Sequence, residues 1–263
     1  GRDSMICRST RGCGPPGNRC RIERLRVEAA GRSETCLWGG GCALHDRGFS
    51  SRAKLPDRAP DPFRERRRLL DLIVTEAAVS RGRPRVGMTP EFILAGMFPF
   101  FAAFFRELGF DLSIPPRGDR DVLRRGQEEF GVPVCAPVQL YAGTVAALAE
   151  EQPDFILLPM LRNLPRRPGQ PDSTLCPLAQ AGGEVLAALR PRNHRTVLLR
   201  PVLNMGQGNV RSHAFRRSVR ALARGMGVCA AEEWRRAFDR AAAAQEEFDS
   251  ALRAFGAGAL HFA

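Results

Sequence analysis

The stretch 154-DFILLPM-160 carries no charged residue after Asp154. A half-buried strand alternates apolar and polar side chains. An unbroken apolar run of this length belongs instead to a strand covered on both faces, as at the centre of a parallel sheet. Parallel neighbours need crossover connections, usually helical, so this run commits the chain to helices on both sides of a sheet. The flanking sequence supplies them. Residues 84–90 (PRVGMTP) read as a strand and turn, 92–108 as a helix, and 109–116 (GFDLSIPP) as a strand restarting after Gly109. Helical patterns follow at 119–129 and 137–150, separated by the short apolar run 131-GVPVC-135. Beyond residue 160 come a helix at 177–190, a strand at 195–204, and helices at 211–226 and 231–255. A further helix is expected from Pro62 to Val79. The alternation predicts an α/β fold, a doubly wound and mostly parallel sheet with flanking helices.

This text does not reach the amino end. Five of the eight cysteines fall in the first 42 residues, among Gly and Arg and with few periodic apolar positions. Three regions are therefore expected: a cysteine-rich metal-binding segment over 1–48, a Pro/Asp/Arg linker over 49–62, and an α/β domain over 63–263. A segment too poor in apolar residues to build a core gains its folding energy from a bound metal. The candidate ligands are Cys13 and Cys20 in 13-CGPPGNRC-20, and Cys36 and Cys42 in 36-CLWGGGC-42. Cys7 and His45 are further donors within the same segment. The spacing is not that of a standard zinc finger, and it leaves zinc and an iron–sulfur cluster both open. The Gly-rich turns let backbone N–H groups approach sulfur.

Charge and hydropathy exclude some classes. The net charge is +12, but Lys54 is the single lysine and the arginines are dispersed along the chain. This argues against a phosphate-tracking groove and so against nucleic acid as a partner. The first 30 residues contain no apolar core of a signal peptide. The most apolar run, 92-FILAGMFPFFAAFF-105, is interrupted by Pro99 and is shorter than the about 20 residues of a membrane span. It reads as a buried helix, with no membrane association, and the expected location is cytoplasmic. With its first Met at position 5 and an end at 260-LHFA-263, the chain is expected to be a fragment of a longer protein.

Two cysteines of the α/β region sit where ligands bind. Cys135 and Cys176 each precede a predicted helix, with Pro137 and Pro177 at first-turn positions. Open α/β sheets bind ligands beyond the carboxyl ends of their strands, and a helix N-terminus favours a thiolate. Two such junctions after neighbouring strands suit an iron–sulfur cluster or zinc; the plainer reading makes both small buried residues. Cys229, in 225-GMGVCAAEE-233, reads as a strand residue. The Gly-rich 204-NMGQGNVR-211 lacks dinucleotide-binding spacing and reads as an ordinary turn, and 215-FRRSVRALAR-224 as a solvated helix face.

The stretches 84-PRVGMTPEFILAGMFPFFAAFFRELGFDLSIPP-116, 133-PVCAPVQLYAGTVAAL-148, 154-DFILLP-159 and 175-LCPLAQ-180, led by 61-DPFRERRRLL-70, together resemble a known family. It is the domain related to activators of 2-hydroxyacyl-CoA dehydratases. The resemblance implies a redox component that handles single electrons. It makes Cys135 and Cys176 ligands of a [4Fe–4S] cluster, with a third ligand beyond Ala263 or on a partner. Dehydratase or activator subunits are the implied partners, with a homodimer as a further possibility. No actin-like ATPase module and no phosphate-binding loop accompany these motifs. The competing expectation is a zinc-stabilised α/β scaffold that binds a nucleotide or a partner and catalyses nothing itself.

Overall fold

The computed structural model describes residues 1–10, 15–29, 32–41, 43–45, 60–115, 117–131, 134–166, 169–189, 195–206 and 208–262. The chain divides into two compact units, Gly1–Ala59 and Pro60–Ala263. Most of the expected linker lies outside the described residues.

The first unit is built on an antiparallel sheet that the cysteine-rich composition concealed. Strands β1 (Arg2–Ile6), β2 (Arg21–Ala29) and β3 (Arg32–Trp38) pair in the order β1-β2-β3. Ile22 is its one fully buried side chain among the described residues. Cross-strand ion pairs such as Arg24 with Asp3 and Arg2 with Glu23 decorate the exposed surface.

The second unit is the expected α/β fold. Helix α1 (Pro62–Ala77) starts where Asp61 accepts from the N–H groups of Phe63 (2.9 Å) and Arg64 (3.0 Å), with Pro62 in the first turn. Then follow β4 (Arg85–Gly87), α2 (Phe98–Glu107), β5 (Asp111–Ser113), α3 (Arg120–Phe130) and α4 (Ala136–Glu150). The chain continues through β6 (Phe155–Leu157), β7 (Met160–Leu161), α5 (Pro177–Leu189), β8 (Val197–Leu199) and β9 (Val202–Leu203). It ends with α6 (His213–Gly225) and α7 (Ala231–Phe262). Four strands form a parallel sheet in the order β5-β4-β6-β8, and β7 pairs with β9 in parallel.

Burial on both faces is visible within single strands. Phe155 and Leu157 of β6 face one apolar cluster, formed with α2, α6 and α7, while Ile156 and Leu158 face a second, formed with α4 and α5. In the first cluster the ring of Phe100 meets those of Phe215 at 5.0 Å and Phe238 at 5.6 Å. Each such ring contributes about 1.5–3 kcal/mol by leaving water. Buried Gln245 of α7 ties down the start of α2. It accepts from the Phe100 N–H (3.3 Å) and donates to the Gly96 carbonyl (2.9 Å).

Four expected features depart from the sequence reading. The helix expected from residue 92 begins at Phe98, because Pro99 is tolerated only in a first turn; a short 3₁₀ turn at Phe92–Leu94 precedes it. The two long strands expected at 154–160 and 195–204 are each interrupted, at Pro159 and at Pro201. Pairing nevertheless carries across the break: the N–H of Leu158 donates to Leu199 (2.8 Å) and that of Met160 to Pro201 (3.0 Å). Cys229 is exposed and lies in no strand. Its neighbours Met226 and Val228 pack on the core while Gly227 (φ 84°) turns the chain between α6 and α7.

Asp111 fixes the start of β5. Its carboxylate accepts from the N–H of Arg81 (2.6 Å), the N–H of Arg83 (3.1 Å) and the hydroxyl of Ser80 (3.1 Å). These bonds, the Arg81 N–H foremost, hold its carboxyl below the usual range. A group depressed in the folded state stabilises above its unfolded value and loses that contribution as pH falls through the folded one. Asp111→Asn is therefore expected to lower stability at neutral pH and to flatten the acid side of the urea-midpoint profile. An unchanged profile would show that the turn does not depend on the charge.

Helices α3 and α4 touch backbone to backbone. A Cβ on Gly126 would stand 1.7 Å from the Gln139 carbonyl oxygen, and one on Gly143 2.0 Å from that of Val122. Gly126→Ala should therefore cost about 3 kcal/mol in urea unfolding. Gly258→Ala in α7, where a Cβ meets nothing within 4 Å, should instead gain up to about 1 kcal/mol. Equal effects at the two sites would remove the packing argument.

Candidate functional site

The strand order places the functional edge. From β4 the chain crosses through α2 to β5 on one side, then returns through α3 and α4 to β6 on the other. The carboxyl ends of β4 and β6 flank this reversal, where doubly wound sheets open a ligand crevice. Helices α4 and α5 each precede a strand of the parallel sheet, so both run antiparallel to it with their N-termini at the carboxyl edge. They pack against each other.

Cys135 and Cys176 stand at those two N-termini, and both are exposed. Cys135 is the N-cap of α4, extended at φ −65° and ψ 145°. Its carbonyl accepts from the N–H groups of Val138 (3.0 Å) and Gln139 (3.1 Å), and its thiol makes no capping bond. The apolar run before it is not a strand at Val134 and Cys135; Val132 and Pro133 lie outside the described residues. Gly131 instead closes α3 in the left-handed conformation (φ 62°), so Cys135 sits in a helix-to-helix turn. Cys176 directly precedes Pro177, the first residue of α5. Its Sγ accepts from the Ala179 N–H at 3.3 Å, a sulfur cap on the helix N-terminus. Neither thiol is the buried, packed residue of the plainer reading.

A long loop delivers Cys176. It leaves β7, and Asp172 gathers it by accepting from the N–H groups of Ser173 (2.7 Å) and Thr174 (3.0 Å) and from the Thr174 hydroxyl (2.7 Å). These bonds, the Thr174 hydroxyl first, hold the Asp172 carboxyl low. The N–H of Leu175 then donates back to the Arg162 carbonyl (3.1 Å), and the Gln180 side chain donates to the Leu175 carbonyl (2.7 Å). Close by in sequence, Asn163 donates to the Gly206 carbonyl (2.5 Å) and accepts from the Met205 N–H (2.8 Å). The N–H of Gly206 is taken by Asn204 (2.8 Å), so these amides of the Gly-rich loop are engaged internally, as an ordinary turn requires.

The seam between α4 and α5 holds a group that the sequence did not single out. Tyr141, the single tyrosine of the chain, is fully buried there. Its ring lies 5.6 Å from that of Phe92, a residue in the left-handed region (φ 53°), and beside Gly182 of α5. The Tyr141 hydroxyl has no hydrogen-bond partner among the described residues. A lone Tyr in an otherwise aliphatic helix is the one signal that marks this position.

The other expected ligands are scattered. Cys13 and Cys42 lie outside the described residues. Cys20 and Cys36 are both half-buried in the first unit but are not brought together. Cys36 pairs with Leu25, five residues from Cys20, or about 16 Å along an extended strand. Cys20 faces Cys7 instead, and His45 Nε2 lies 3.1 Å from Cys7 Sγ. Among the described residues no group of three His, Cys, Asp or Glu side chains is gathered in metal-holding geometry. Cys229, between α6 and α7, lies at the amino edge of the sheet, opposite Cys135 and Cys176. No helix among the described residues is long and apolar enough to cross a membrane.

The second unit is thus a doubly wound α/β domain that presents two exposed cysteines at neighbouring helix N-termini. Over residues 85–263 it matches the family described as CoA enzyme activase uncharacterised domain, and the chain belongs to that family. This relates it to the activators of acyl-CoA dehydratases. No curated protein and no solved structure matches the chain.

Burial pushes the Tyr141 phenol well above its ordinary value. In an alkaline titration the phenolate absorbance should stay flat through the usual tyrosine range and appear only with unfolding. Stability should fall over the same range, because the unfolded chain releases a proton that the folded one retains. Phenolate absorbance rising at the ordinary value, ahead of unfolding, would show that the seam is wet.

Proposed function

We propose that the chain is an iron–sulfur redox component that serves the activation of 2-hydroxyacyl-CoA dehydratases, with dehydratase or activator subunits as its partners. One observation carries this reading: Cys135 and Cys176 are exposed together at the carboxyl edge of the sheet, inside the family domain, on helices that touch. The donor set fits a [4Fe–4S] cluster in kind, since thiolates are its ligands. Such a cluster supplies one electron at low potential, which amino-acid side chains do not.

The chain's own residues have separate tasks. Cys135 and Cys176 are the two ligands, and the remaining ones come from a partner or from elsewhere in a longer chain. The Ala179 N–H, already bonded to the Cys176 sulfur, stabilises negative charge there and so shifts the potential upward. The buried seam around Tyr141 and Phe92 keeps water from the floor between the two helices. Exposure of both thiols leaves the outer side open to the partner that exchanges the electron.

Anaerobically purified or reconstituted protein is expected to be coloured and to bleach on reduction with dithionite. Cys135→Ser and Cys176→Ser should each lower bound iron at least about tenfold while far-UV circular dichroism and the urea midpoint stay near wild type. Full iron and colour in either variant would rule out that ligand. A colourless protein that carries zinc at these two cysteines would replace the redox reading with a zinc-stabilised scaffold.

A further inference from the structure

The first unit combines two features that do not sit together in a small protein. It has a regular three-stranded sheet, yet among its described residues only Ile22 is fully buried. Met5, Ile6, Val27 and Trp38 are all exposed. A sheet of this size whose described residues bury so little apolar surface calls for a covalent or metal clamp. The cysteines of the unit that the structure describes are free thiols.

The register points to where a clamp would close. Ile6 pairs with Arg21, so the next rung sets Cys7 opposite Cys20, and the N–H of Cys7 donates to the Cys20 carbonyl at 2.8 Å. Directly opposed residues hold their Cβ atoms about 4.5–5.5 Å apart. His45 reaches the same spot from 38 positions away, its Nε2 3.1 Å from the Cys7 sulfur. On the other side the Gly41 N–H donates to the Cys20 sulfur at 3.4 Å. Gly40, at φ 99°, lies against it so closely that a Cβ there would stand 3.8 Å from that sulfur. Cys7, Cys20, His45, Gly40 and Gly41 line one concavity.

We infer that Cys7, Cys20 and His45 bind one zinc ion that holds the first unit together, as three of its four tetrahedral ligands, and that Cys36 is not the fourth. Tetrahedral zinc, with bonds of about 2.3 Å to sulfur and 2.0–2.1 Å to nitrogen, sets its S···N separation at about 3.5 Å and S···S at about 3.8 Å. The Cys7–His45 distance is within half an ångström of the first value. The three donors are not yet gathered in metal-holding geometry; the Cβ spacing across the ladder lets the two sulfurs reach the second value by side-chain rotation as the metal binds. An imidazole beside two thiolates suits zinc better than a cubane cluster, whose ligands are thiolates. The Gly41 N–H bonded to sulfur is the outer partner that a zinc thiolate takes. Loading converts two thiols to thiolates and releases two protons per zinc, with neutral His45 giving its Nε2 lone pair. The site lies outside the family domain, so it stands or falls independently of the cluster at Cys135 and Cys176.

The test uses the full chain carrying Cys135→Ser and Cys176→Ser, so that metal bound at those positions does not count. Elemental analysis should find one zinc per chain. Cys7→Ser, Cys20→Ser and His45→Ala should each reduce it at least about tenfold, and Cys36→Ser should leave it intact. His45→Cys should retain the metal, and its cobalt-substituted form should show stronger sulfur-to-metal absorbance than that of the parent. That gain in signal separates a ligand from a residue needed only for folding. Full zinc in Cys7→Ser and His45→Ala would overturn the site. So would loss of zinc in Cys36→Ser as complete as in Cys7→Ser.

Discussion

Strands three residues long cannot hold a sheet together by their own hydrogen bonds. The α/β unit depends on covering them from both sides at close range. Close range is a matter of glycine. Without a Cβ at Gly183, α5 rests directly on the end of β6, where a Cβ would stand 2.5 Å from the Leu158 carbonyl oxygen. At Gly87, between Pro153, Ile156 and Leu148, a Cβ would meet atoms at 3.1–3.3 Å. The pair Gly126 and Gly143 lets α3 and α4 cross in contact. The positions of both α4 and α5, and hence of the two cysteines at their tips, follow from these approaches.

Much of this was legible because it rests on local composition. The apolar run at 154–160 announced a central parallel strand, and the flanking amphipathic patterns announced its covers. Asp61 and Pro62 marked the start of α1 by residue type alone. What stayed hidden depended on partners distant in sequence. Nothing in Pro159 or Pro201 alone says that the two fall side by side. Pro159 faces the β4 side, past the end of β4, and costs no ladder bond, whereas Pro201 faces β6 and β7, as its carbonyl bond to Met160 shows, so its missing N–H interrupts the ladder there. The strand reading at Cys135 failed because Gly131 ends α3 only four residues before Cys135 caps α4.

The sheet of the first unit stayed hidden for a different reason. Strand β2 does alternate Leu25, Val27 and Ala29 with charged neighbours, but β1 and β3 do not, and the cysteine- and glycine-rich surroundings pointed away from a sheet. Cross-strand pairs such as Arg24 with Asp3 supply some of the register instead. In the second unit arginines are likewise tied to carboxylates of other elements: Arg125 to Glu150, Arg211 to Glu246, Arg236 to Glu107. Exposed pairs of this kind contribute little stability. They do show that several of the abundant arginines answer to nearby acidic groups.

The prolines at 159 and 201 have a consequence beyond topology. They divide one long ladder into a front half, β6 with β8, and a rear half, β7 with β9. The loop that delivers Cys176 is bonded to the rear half through Arg162 and Leu175. Cys135 is borne by α4, whose apolar face rests on the front half. The two thiols are therefore mounted on opposite sides of a crease in the sheet. The bonds from Leu158 to Leu199 and from Met160 to Pro201 bridge that crease, so the spacing of the two thiols is set by how the two half-ladders join.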